Sequence, residues 1–190
     1  MSTLIVGLVI FLGMHSFAIV SPGGRDAMVA RLGAGAWKGL YSVVSLVGFW
    51  LILKGYAAAR LEPTLVWVPP TGLRHVAALL MLPVFPLLFA TYLPGRLRAA
   101  AKHPMLAAVK FWAVAHLLSN GMLADIVLFG ALLAWAVIDR ISLKHRAPRA
   151  TPAAPAKPFN DVLAVALGLT VYAVFVMGVH QRLFGVAPFG

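Results

Sequence analysis

Six histidines carry most of the chemical potential of this 190-residue chain, because it has no cysteine and only five acidic residues. The lack of thiols excludes thiolate metal sites, iron–sulfur clusters, covalent c-type haem attachment and disulfides together. The acids Asp26, Glu62, Asp125, Asp139 and Asp161 fall at or near the ends of apolar runs, a pattern without the paired carboxylates of general acid–base work. Any metal the chain holds must therefore sit on nitrogen or oxygen.

His15 interrupts the uncharged run Leu4–Val20. An ionisable side chain inside a membrane span costs at least about 2.5–3.5 kcal/mol to insert, so a function with a partner nearby is its first reading. A neutral imidazole hydrogen-bonded across helices, with Ser16 close by, accounts for it as well. Trp112, His116 and Asn120 recur every four residues and share one helical face, with Ala113 and Ser119 beside them, while His103 and Lys110 fall on another face. The first stripe reads as the wall of a site inside a bundle, and helix-to-helix hydrogen bonding explains it equally.

The remaining histidines are placed for blander roles. His75 beside Arg74 and His180 beside Gln181-Arg182 lie at the ends of apolar runs, where polar groups are wetted. His145 stands between Lys144 and Arg146, a cationic setting that disfavours metal binding. Two neutral imidazoles from different helices suit a transition metal or a haem iron better than magnesium or calcium, which take oxygen ligands. Zinc normally wants four ligands, whereas haem needs one or two from the protein, with arginines such as Arg25 or Arg98 available to its propionates. His15 and His116 differ in depth along their runs, so pairing them requires tilted or shifted helices.

The elements that must position these side chains are membrane helices. The chain is 62% hydrophobic and 11% charged with mean hydropathy +0.92, against an apolar share of about 45–50% in soluble domains. A span needs roughly 20 apolar residues, and six runs follow one another: 4–20, 40–59, 73–93, 105–120, 126–138 with its flanks, and 162–179. The first lacks a basic leader and reads as a retained helix. Pro83 and Pro86 predict a kink in the third. The expected fold is an all-α polytopic transmembrane bundle of six spans. It is divided into a five-helix core over 1–145, a basic Pro/Ala-rich linker over 146–160, and a C-terminal helix and tail over 161–190.

Charge then sets orientation. The odd-numbered loops hold eleven Lys and Arg residues against three (Arg60, Arg74, Arg182) on the other side, which predicts basic loops in the cytoplasm and both termini outside it. This accounts for the formal charge of +11 without a nucleic-acid partner and assigns the basic faces to anionic lipid heads.

At Gly13-Met14-His15-Ser16, Arg25, Trp37-Lys38-Gly39-Leu40-Tyr41-Ser42, Arg74-His75, His103-Pro104-Met105, Lys110-Phe111-Trp112-Ala113 and His116-Leu117-Leu118-Ser119-Asn120-Gly121, the sequence resembles the NnrU family of bacterial membrane proteins. Leu128-Phe129-Gly130 and Trp135-Ala136 extend the likeness over nearly the whole chain. The resemblance implies an inner-membrane protein that supports denitrification, in nitrite and nitric oxide metabolism, with a respiratory enzyme as a possible partner. The sequence is also similar to plant 15-cis-zeta-carotene isomerases, membrane enzymes that use haem b with histidine axial ligands. That likeness implies haem b on His15 and His116, with Trp112 and Asn120 in the site and His103 and His75 in reserve. It leaves open a haem-dependent cis–trans isomerase of a carotenoid or other lipid-soluble polyene, and a non-catalytic assembly factor.

Overall fold

The computed structural model describes residues 1–146 and 151–188. Within them the secondary structure is helical, and an isolated bridge between Leu65 and Met122 is the only strand-like pairing. The helices are α1 (Ser2–Val20), α2 (Pro22–Leu32), α3 (Ala34–Ala59), α4 (Leu73–Met81), α5 (Val84–Tyr92), α6 (Arg96–Ala101), α7 (Pro104–Ser119), α8 (Leu123–Ser142), α9 (Asn160–Val174), a π-turn (Phe175–Val179) and α10 (His180–Phe184).

Four segments are long and apolar enough to cross a membrane: Ser2–Val20, Ala34–Ala59, Leu73–Tyr92 and Asn160–Phe184. Pro104–Ser119 is apolar but 16 residues long, about 24 Å at 1.5 Å per residue. Leu123–Ser142 has the length and carries Asp125, Asp139 and Arg140. The long apolar faces of α1, α3 and α9 are exposed, as surfaces that meet lipid must be.

The chain separates into two compact units. The first comprises Met1–Trp67 with Gly121–Ala147, and the second Val68–Asn120 with Pro148–Gly190. In the first unit α1 and α3 lie antiparallel in backbone contact. A methyl group added at Gly7 would meet the Ile52 nitrogen at 2.5 Å, one at Gly48 the Phe11 nitrogen at 2.7 Å, and one at Gly55 the backbone of Thr3 and Leu4. Small residues let membrane helices approach this closely, where van der Waals packing has to replace the hydrophobic effect. The acids of α8 are buried and matched inside this unit: Tyr56 donates its hydroxyl to Asp125, and Arg146 pairs with Asp139.

The stretch after the first span, expected to be a loop, instead forms α2. Ser21 accepts the Gly24 N–H (3.2 Å) and Pro22 opens the helix, which is a good N-terminal signal.

In the second unit the kink predicted by the prolines falls between α4 and α5. Pro83 has no N–H to give, the Leu82 N–H turns to Leu79 O (3.3 Å), and the Tyr172 hydroxyl donates to Ala78 O (3.2 Å). A neighbouring helix thus supplies the hydrogen bond that the broken ladder lacks. Gly168 of α9 seats against Pro86. Val84, Leu87 and Ala108 form the buried cluster of this unit, with Met81, Leu88 and Trp112 packed against it.

Four residues of the expected linker, 147–150, lie outside the described residues. Residues 151–157 carry no regular structure and are exposed, with Ala154 N–H bonded to Tyr92 O at 2.9 Å. At the start of α9 the Asn160 amide donates to Pro94 O and Pro155 O (2.8 and 3.1 Å), and Asp161 accepts from Arg96 N and Leu97 N.

Candidate functional site

The second unit contains a cavity of about 200 Å³. Its polar wall is Arg74, His116, Ser119, Asn120 and His180, and Phe85 and Phe175 belong to its apolar wall. Trp112, His116 and Asn120 are joined along α7 by bonds to the helix's own backbone, and of the three only His116 and Asn120 line the cavity. His116 Nδ1 donates to Trp112 O (2.8 Å), and the Asn120 amide donates to His116 O (2.9 Å). The Trp112 ring lies 5.1 Å from that of His116, centre to centre and tilted by 49°, and packs against the buried cluster rather than lining the cavity.

His180 joins this wall. Within the turn that follows Val174, Gly178 leaves helical values (φ 158°, ψ −18°), so the helix is broken there and a separate short helix, α10, begins at His180. Glycine adopts such a φ without steric cost, which lets the chain change direction at this point. The His180 ring centre lies 6.4 Å from that of His116, with 31° between the planes. Its Nδ1 donates to Val186 O (2.7 Å), across a reversal made by Gly185 at φ 75°, so that Val186, Ala187 and Pro188 also line the cavity.

A carbonyl oxygen only accepts, so the bonds to Trp112 O and Val186 O place the proton of each ring on Nδ1. The lone pair is then on Nε2, the form in which imidazole ligates a metal, with the backbone bond fixing ring orientation. Two imidazoles sharing one metal at about 2.0–2.1 Å per bond would have centres roughly 6 Å apart. Among the described residues no group of three or more His, Asp or Glu gathers, so this donor set suits a cofactor that brings its own further ligands. The volume of the cavity is below the roughly 300–1,000 Å³ that organic ligands fill, so a macrocycle requires it to widen.

His15 belongs to the first unit. Its Nδ1 donates to Phe11 O (2.7 Å), and its ring is packed by Phe11 (4.2 Å), Tyr41 (5.2 Å) and Trp135 edge-on (5.8 Å, 89°). His75 is exposed at the start of α4, where Arg74 rather than His75 lines the cavity, and His103 stands at the N-cap of α7. Read from the sequence, His180 had no role beyond a wetted helix end. Its approach to His116 follows the break at Gly178, which a lone glycine in an apolar run does not announce.

These features define a helical protein with membrane-length apolar helices and a cavity walled by histidine, arginine and asparagine. The chain belongs to the NnrU family: the family model described as NnrU protein matches residues 3–188. No curated protein and no solved structure matches it.

Proposed function

We propose that this NnrU protein is a six-span protein of the bacterial inner membrane that holds haem b at His116 and His180 and supports nitrite and nitric oxide metabolism. The observation that carries the reading is the pair of imidazoles 6.4 Å apart in one cavity wall, each with Nδ1 tied to a backbone carbonyl. Haem would bring redox or Lewis-acid chemistry to the site. The chain's own part is to ligate through the two Nε2 atoms, to offer Arg74 and Asn120 to a carboxylate, and to exclude water with Phe85 and Phe175.

The six-span count is supported by the matched acids of α8, which put its charge against protein rather than lipid. The eleven-to-three distribution of basic residues supports cytoplasmic loops and outward termini.

The test is the reduced-minus-oxidised absorption spectrum of the purified protein, alone and as His116→Ala, His180→Ala and His15→Ala. Loss of the haem bands in the first two variants and their retention in the third is expected. Bands that survive His116→Ala, or no bands from haem-replete cells, would overturn the site, the latter outcome favouring an assembly role. Turnover of a cis-carotenoid by the haem-loaded protein would move the function to polyene isomerisation.

A further inference from the structure

The first unit holds a buried indole N–H with no hydrogen-bond partner among the described residues, Trp135 Nε1, and a buried hydroxyl, Ser45 Oγ, that meets no partner in good geometry although the Tyr41 hydroxyl stands beside it. Buried polar groups are nearly always satisfied, and a membrane interior makes the exception costlier. Both belong to one layer. Gly48 against Phe11 and Gly55 against Leu4 fix the antiparallel register of α1 and α3. Continuing that register one turn brings His15 level with Val44 and Ser45. Trp135 reaches the same level from α8, its ring edge-on to His15 at 5.8 Å.

The chemistry of the layer is complementary. The indole N–H donates, the serine hydroxyl does either, and His15 Nε2 accepts because its Nδ1 is committed to Phe11 O. A small molecule that both donates and accepts satisfies all three, and an anion or a bare cation does not. Tyr41 lies 5.2 Å from His15, one turn before Ser45 on α3, with its hydroxyl near that of Ser45. Asp139 lies one turn beyond Trp135 on the same face of α8, where it pairs with Arg146 and accepts from Ser142 Oγ (3.3 Å). Polar groups therefore continue from the layer to the end of the helix.

We propose that small protic molecules, water first among them, bind between His15, Ser45 and Trp135, and that the seam by way of Tyr41 and Asp139 to Arg146 is their route into the membrane interior. This site belongs to the first unit and the His116–His180 cavity to the second, so it does not depend on haem.

The full chain, labelled with ¹⁵N at the tryptophan indoles and held in phospholipid nanodiscs, is transferred to D₂O. Indole exchange is then followed by NMR, with Trp135→Phe and Trp50→Phe assigning the signals. Trp50 is the dry reference, because its ring lies on the outer surface of α3 at 56% exposure. The Trp135 proton is expected to exchange at least tenfold faster than that of Trp50, and Ser45→Val is expected to slow it severalfold while the Trp50 signal keeps its position. Ser45→Ala replaces the valine variant if that signal moves. Exchange at Trp135 as slow as at Trp50, or fast exchange indifferent to the loss of the Ser45 hydroxyl, overturns the proposal.

Discussion

His180 stands with its imidazole 6.4 Å from that of His116, just beyond the break at Gly178. Gly178 holds φ 158°, which a residue with a Cβ rarely adopts, and nothing lies within 4 Å to clash with an added methyl. Gly178→Ala should therefore re-aim His180 through the backbone alone, and it is expected to reproduce the absorption spectrum of His180→Ala. A spectrum unchanged from that of the parent protein would mean that the break does not set the position of His180.

The contact between α1 and α3 is made by backbone, so adding volume at Gly55 cannot be absorbed by a flexible side chain. Gly55→Val should destabilise the protein by about 1–3 kcal/mol or more. Gly39 lies on the same helix with nothing within 4 Å, and Gly39→Ala should gain roughly 0.5–1 kcal/mol from helix propensity. Unfolding by SDS titration in mixed micelles would read both, and equal effects at the two positions would refute the packing account.

Asp161 caps α6 from a distant part of the chain, accepting from Arg96 N at 2.8 Å and Leu97 N at 2.9 Å. Removing the carboxylate in Asp161→Ala should cost about 1–2 kcal/mol, the usual worth of an N-terminal cap. Gly95→Ala should have a similar effect for a different reason, since the added methyl would run into that carboxylate. Thermal melts of both variants, and of the double variant, check this: two routes to one lost cap should not add.

The Asp139–Arg146 pair has only 12% and 16% of its side chains exposed. Asp139→Ala leaves the guanidinium without its counter-charge and should cost about 2–4 kcal/mol. Replacing both residues by leucine should recover most of that loss. A double variant as unstable as the single one would show that the cost comes from Asp139 itself, through Ser142 and the helix end.

Patterns that repeat along the chain were readable in advance. The apolar runs announce the long helices and the two prolines announce the break in the third run, while of the four-residue stripe Trp112, His116 and Asn120 only the last two line the cavity. What escaped depends on contacts between distant segments. Asp125 and Asp139 look like helix-end acids, yet Tyr56 and Arg146 bury and match them. The segment Pro22–Leu32 opens with Pro-Gly-Gly and reads as a turn, although Ser21 and Pro22 together start a helix. His180 looks wetted because it stands at the end of an apolar run, and the break at Gly178 precedes its turn onto the cavity wall.

The glycines of α1 and α3 also constrain how relatives of this chain can diverge. Positions 7, 48 and 55 have no side chain to exchange, so substitutions there cannot be rescued by a complementary change opposite them. The outward positions of the same helices, such as Val9, Val43 and Leu46, are exposed and can drift among apolar residues. Evolutionary variation along this pair should therefore be sharply one-sided, silent along the seam and permissive on its back.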